Sequence, residues 1–186
     1  MTEFQTKGYV FVKDFMDSES ILDVSRYMEY LLKRKSTHTS DSISTYSFYA
    51  DPLIETILYN ARDQLEYITG LELYPTYSYA RVYLKKDELK CHTDRPACEI
   101  SVTCNVATVG EPWPIFIQMP GQDPVKFILG PGDAIVYRGI EAKHWRETNI
   151  NTEINAQFML HYVDSNGKHT SYKYDKRESL GMPLKE

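Results

Sequence analysis

The chain has 186 residues, with 21 Lys+Arg against 26 Asp+Glu and a formal charge of −5. At 42% hydrophobic and 25% charged residues it has the composition of a folded globular protein, which excludes a disordered chain. The mild acidity argues against a general nucleic-acid or anionic-membrane surface, and no apolar run approaches the roughly 20 residues of a membrane span. The N-terminus, Met1-Thr2-Glu3-Phe4-Gln5, lacks a secretory pattern. Three cysteines without CxxC spacing, Cys91, Cys98 and Cys104, predict buried free thiols and a cytoplasmic setting.

In chain order, Gly8-Tyr9-Val10-Phe11-Val12 predicts a short strand. Asp17 or Ser18 then offers a helix cap, and Ile21, Val24, Met28 and Leu31 recur at spacings of three and four, predicting an amphipathic helix. Polar residues 35–45 predict a loop. A second helix starts at the cap Asp51, carries Pro52 in its first turn and stops at Gly70. Its buried face is Ile54, Ile57, Leu58, Ala61, Leu65 and Ile68. From Tyr74 onward, Tyr-, Val-, Ile- and Phe-rich runs predict strands at 76–84, 99–107, 114–118, 125–129, 134–137, 143–146 and 155–163. The absence of strand–helix alternation argues against a parallel sheet. The expected fold is mainly β with flanking helices: a jelly-roll, cupin-like double-stranded β-helix, with the two N-terminal helices packed on one sheet. Nothing divides residues 1–186, so a single domain is expected: strand and supporting helices over 1–73, core over 74–163, tail over 164–186.

Of the five histidines, His38, His92, His144, His161 and His169, three fall in the strand-rich region where a metal site could form: His92, His144 and His161. In Cys91-His92-Thr93-Asp94 the His and the Asp are two apart, so on an extended chain both point to one side. His144 follows the Gly130-Pro131-Gly132-Asp133 turn at the edge of a later strand. Two imidazoles and one carboxylate on one face of a metal leave adjacent positions for other ligands, the arrangement of non-haem Fe(II) oxygenases. An HxD triplet alone recurs by chance; its placement after a strand, with a later His beyond a glycine-rich turn, gives it weight. On the last long strand, alternation sets Asn155, Gln157, Met159 and His161 on one face and Ala156, Phe158, Leu160 and Tyr162 on the other. The first set suits a cavity lining, making Gln157 and His161 candidate substrate-pocket residues, with a supporting hydrogen bond as the other role for His161. Arg95 and Glu99 are candidates for the cavity mouth. No GxGxxG, P-loop, GxSxG elbow or HExxH is present.

The order Tyr83…His92-x-Asp94…Gly132-Asp133…His144…Phe158-Met159-Leu160-His161-Tyr162 resembles the 2-oxoglutarate- and Fe(II)-dependent dioxygenases, most of all their prolyl-hydroxylase-like branch. The opening at 8–15 and the two helices after it extend the likeness over nearly the whole chain. The resemblance implies that His92, Asp94 and His144 ligate Fe(II) and that Tyr83 hydrogen-bonds 2-oxoglutarate, the small-molecule co-substrate. It also implies that O2 is consumed and an unidentified primary substrate hydroxylated: a protein side chain such as proline, or a small amino acid or metabolite. No nucleic-acid or membrane partner is expected. The chain departs from the family at one place. Such enzymes carry an Arg or Lys about nine or ten positions after the second His, paired with the distal carboxylate of 2-oxoglutarate. Here Glu153, Ile154 and Asn155 stand there. Arg146, two positions after His144, is the expected substitute, with Arg81 and Arg138 in reserve. Two other classes stay open: a zinc-dependent hydrolase on the same three ligands, which needs a general base, and a non-catalytic jelly-roll binding module.

Overall fold

The computed structural model describes residues 1–33 and 46–182. Helix α1 (Glu3–Lys7) and strand β1 (Tyr9–Val12) lead into helix α2 (Ser18–Lys33), strand β2 (Tyr46–Tyr49), helix α3 (Pro52–Asn60) and helix α4 (Arg62–Thr69). The strands β3 (Leu73–Leu84), β4 (Leu89–His92), β5 (Ile100–Gly110), β6 (Ile115–Gln118) and β7 (Val125–Phe127) follow. They are completed by β8 (Ala134–Arg138), β9 (Lys143–Arg146) and β10 (Thr152–Asp164), with short 3₁₀ helices at Pro96–Cys98 and Thr170–Lys176. These strands form the double sheet expected from the sequence, one in the order β1-β8-β5-β10-β3-β2 and the other β4-β9-β6-β7. Their pairings are antiparallel.

The helices form where the local signals put them. The Asp17 carboxylate accepts the backbone N–H groups of Glu19 and Ser20 at 3.0 and 2.9 Å, capping α2, whose Ile21, Val24 and Met28 are buried. Asp51 caps α3 in the same way, accepting from Leu53 and Ile54 with Pro52 in the first turn. The single helix expected over 51–70 bends at Ala61, where ψ is −9°. The reason is tertiary: α3 packs on β3 and β10, whereas α4 packs on α1 and β3. Strands β2 and β4 escape the sequence pattern because each is a four-residue sheet edge, too short for alternation to register. The loop expected at 35–45, and His38 within it, lie outside the described residues.

Strand β10 divides the molecule into a greasy side and a polar side. Ala156, Phe158, Leu160 and Tyr162 join Met28, Ile54, Leu58 and Leu65 in the main core between the helices and the larger sheet. The Tyr162 hydroxyl donates to the Leu58 carbonyl at 2.6 Å. The alternate residues look toward the smaller sheet: Gln157 pairs with Arg81 of β3 and Asn105 of β5, and Met159 with Tyr79 and Thr103. The 130–133 turn ties the start of β8 to the β1–α2 connection. Gly132 has φ 84° there, and a Cβ on it would sit 2.5 Å from the Met16 carbonyl. Asp133 accepts the N–H groups of Gly130 and Asp14 and pairs with Lys13 at 2.9 Å. Burial pushes the Asp133 carboxyl up, but these partners hold it below its ordinary value.

Candidate metal centre

His92 and His144 are direct cross-strand neighbours on β4 and β9, their rings 4.2 Å apart. Asp94, two residues past β4, is anchored by its N–H to the Gly139 carbonyl at 2.9 Å. Its Oδ1 lies 3.4 Å from His144 Nε2 and 3.8 Å from His92 Nε2. The Nδ1 atoms of His92 and His144 lie 2.7 and 3.0 Å from the carbonyls of Lys90 and Ala142. A carbonyl only accepts, so each Nδ1 carries the proton and each Nε2 presents a lone pair to the same point. The other carboxylate oxygen, Oδ2, accepts from the Ser101 hydroxyl at 2.8 Å. Two imidazole nitrogens and one carboxylate oxygen, mutually close and preset by backbone contacts, fit a divalent transition metal. Burial and the neighbouring His144 hold the His92 pKa below its ordinary value. Burial alone would raise Asp94, but His144 and Ser101 hold it below the ordinary carboxylate range.

Gly139 completes this arrangement and carries no signal in the sequence beyond its lack of a side chain. A Cβ there would collide with the Cys98 carbonyl and lie 2.5 Å from Asp94 Oδ2 and 2.6 Å from Ser101 Oγ. The backbone of the β8–β9 turn can therefore touch the carboxylate only because residue 139 is glycine.

Beside the three donors lies a cavity of about 490 Å³. One face of β3 lines it with Tyr77, Tyr79, Arg81 and Tyr83, and β10 contributes Gln157, Met159 and His161. Tyr83 is 1% exposed and meets Trp113 edge-on. The Arg81 guanidinium lies 5.2 and 5.4 Å from the rings of Tyr79 and Tyr83 and donates to their hydroxyls at 3.4 and 3.3 Å. Arg146 sits elsewhere than expected. It is 2% exposed, stacks over Trp113, and donates to the Trp113 carbonyl and to Gln157 Oε1, so it stands behind the lining rather than in it. Burial lowers its pKa to about 10, still protonated at neutral pH. Arg138 does not line the cavity either, pairing with Glu141 at 3.4 Å.

His161, also in the lining, packs 4.6 Å from the Tyr77 ring, and desolvation lowers its pKa to about 4, leaving it neutral. Arg95 is among the residues lining the cavity, lying 4.5 Å over Tyr77 and gripping Asp175 with two hydrogen bonds of 2.8 Å. Glu99 is turned away, accepting the Asp164 N–H at 3.0 Å. Asp175 was not foreseen. It also accepts from Tyr49 at 2.5 Å and stands in a run of three left-handed residues, Tyr174, Asp175 and Lys176, with φ 54°, 54° and 64°. Of the thiols, Cys98 and Cys104 are buried as expected, whereas Cys91 is exposed on the short edge strand β4. Burial pushes the Cys98 thiol up to about 12.

Comparison with solved structures places this architecture. An oxidoreductase of the 2OG-Fe(II) oxygenase family from Burkholderia pseudomallei aligns with a TM-score of 0.69 at 18% identity, covering 89% of this chain and 88% of that one. A prolyl-4-hydroxylase from Pseudomonas putida aligns at 0.68 and 12% identity, covering 86% and 95%. The non-heme alpha-ketoglutarate-dependent carbocyclase SnoK from nogalamycin biosynthesis aligns at 0.72 and 14% identity, covering 98% and 91%. No protein-family model matches the sequence, and no curated protein matches it. The chain thus has the fold of the 2-oxoglutarate/Fe(II) oxygenases, a fold shared by enzymes of different reactions, and it brings a His-Asp-His set together within it. No helix among the described residues is long and apolar enough to cross a membrane.

Proposed function

We propose that this protein is an Fe(II)- and 2-oxoglutarate-dependent oxygenase in which His92, Asp94 and His144 hold the metal. The observation that carries this reading is the convergence of three lone-pair donors beside a cavity that contains a guanidinium. Two neutral imidazoles and one carboxylate leave Fe(II) a single net positive charge, which favours an anionic keto acid. Arg81 is the proposed partner of the distal carboxylate of 2-oxoglutarate. Its planar fork, braced by the hydroxyls of Tyr79 and Tyr83 and itself buried, suits a carboxylate. Gln157 lies beside it in the strand register, and Arg146 fixes Gln157 from behind. When bound, the metal and co-substrate supply the oxidising chemistry. The chain's own part is to orient and to exclude water: Tyr49, Tyr77 and Met159 line the cavity together with Arg95 and His161, which would flank the primary substrate.

The cavity falls within the about 300–1,000 Å³ usual for small-ligand sites. A five-carbon co-substrate leaves space for one side chain or a small metabolite, so hydroxylation of a prolyl or other amino-acid side chain is the finer reading. A zinc hydrolase would need a general base, and among the described residues lining the cavity Asp94 is the only carboxylate. Anaerobic addition of Fe(II) and 2-oxoglutarate should produce a visible charge-transfer band that His92→Ala and His144→Ala each abolish. A wild-type protein that gives no band but hydrolyses ester or amide substrates with zinc would overturn the oxygenase reading.

A further inference from the structure

Behind the three donors, one hydroxyl connects Asp94 to a third histidine. Ser101 Oγ lies 2.8 Å from Asp94 Oδ2, 3.0 Å from His161 Nδ1 and 3.2 Å from the Cys98 carbonyl. A serine hydroxyl has one proton to give and two lone pairs to accept with. Asp94 and the Cys98 carbonyl can only accept, and the carboxylate is both nearer and charged, so it takes the proton. The contact with His161 must then run the other way, with Nδ1–H donating to Ser101 Oγ. Ser101 and His161 are direct cross-strand partners on β5 and β10, 0% and 6% exposed, and the imidazole is packed against Tyr77. The contact is therefore built into the sheet register rather than chosen by mobile side chains.

We infer that His161 and Ser101 form a positioning relay, His161 Nδ1–H to Ser101 Oγ–H to Asp94 Oδ2, that sets which carboxylate oxygen faces the two metal-binding imidazoles. The inference rests on the metal-site reading above. With Oδ2 held by Ser101, Oδ1 is the oxygen left to point toward His92 and His144. His161 is a positioning residue, since it reaches Asp94 only through the serine. The same carboxylate belongs to a second grouping of donor residues, Asp94, Cys98 and His161, in which the Cys98 thiol lies 3.0 Å from the Tyr77 hydroxyl.

The metal-free protein tests the first half. Long-range ¹H–¹⁵N NMR correlations should report His161 as the Nδ1–H tautomer, and the Nε2–H tautomer would overturn the relay. Co(II) titration followed by visible absorption tests the second half, with thermal unfolding showing that each variant is folded. Loss of a group that orients a metal ligand weakens binding about 10–100-fold, so Ser101→Ala should lose about 10-fold or more and His161→Phe about 3-fold. His161→Asn, whose amide can donate from near the Nδ1 position, should recover most of that loss. The Ser101→Ala/His161→Phe double variant should bind no more weakly than Ser101→Ala alone, because the histidine has no other route to the carboxylate. Fully additive losses, no rescue by Asn, or Ser101→Ala binding like wild type would each overturn the relay while leaving the metal site standing. A wild-type protein that binds no Co(II) overturns both readings.

Discussion

Replacing Gly139 with alanine probes how the carboxylate is held. The new Cβ would collide with the Cys98 carbonyl, which is backbone and cannot swing aside, so the turn at residue 139 must shift, and the side chains of Asp94 and Ser101, also under 3.0 Å away, must yield as well. Asp94 Oδ2 would stand 2.5 Å from that Cβ, whereas ordinary contact begins at 3.4 Å, so the carboxylate has to withdraw by close to an ångström. Overpacking of this kind costs about 1–3 kcal/mol, and each kcal/mol lowers the melting temperature of a chain of this length by about 2–4 °C. Displacing one of the three proposed ligands should also weaken Co(II) or Fe(II) binding by at least about 10-fold. Thermal unfolding of the metal-free protein and a Co(II) titration measure the two effects separately. Gly121→Ala is the control: Gly121 also has a positive φ, 74°, but a Cβ there meets nothing within 4 Å. It should cost about 1–2 kcal/mol of left-handed strain and leave metal binding unchanged. A Gly139→Ala protein that binds metal as wild type does would refute the packing argument.

Three further outcomes are expected. Arg81→Met should weaken 2-oxoglutarate binding to the Fe(II)-loaded protein by about 2 kcal/mol or more, roughly thirtyfold, without lowering Fe(II) affinity; a comparable loss in Arg146→Met with none in Arg81→Met, read by titrating the charge-transfer band, would reverse the assignment. Arg177→Met should destabilise the fold by about 3–5 kcal/mol in urea melts, because Arg177 and Glu55 form a pair only 1% and 3% exposed and its loss strands a buried carboxylate; a loss within about 0.5 kcal/mol would show that Glu55 finds other partners. Burial pushes Asp175 up, but Arg95 and Tyr49 hold it below its ordinary 3.8. A carboxylate depressed in this way stabilises the fold fully above its unfolded pKa and loses that contribution as pH falls through its folded value. Asp175→Asn should therefore be less stable than wild type at pH 7, with the gap closing below pH about 4; a gap that does not change between pH 7 and 3 would count against the pairing.

The helix stripes, the double antiparallel sheet and the inward face of β10 were legible along the chain, because periods of 3.6 and 2 and their capping and turn residues are local signals. The sequence also carried the HxD pair and His144, whose separate strands needed only an antiparallel pairing to meet. Which of Arg146, Arg81 and Arg138 lines the cavity was settled only by packing between distant strands. Arg146 is spaced correctly from His144, yet the Trp113 carbonyl, the Trp113 ring and Gln157 capture its guanidinium behind the lining, while Arg81 comes in from β3. The same holds for Gly139, Ser101 and Asp175. Each matters through neighbours far along the chain or through a strained backbone, and no periodicity encodes such meetings. Close packing of side chains from distant strands creates them, and only the folded chain brings those strands together.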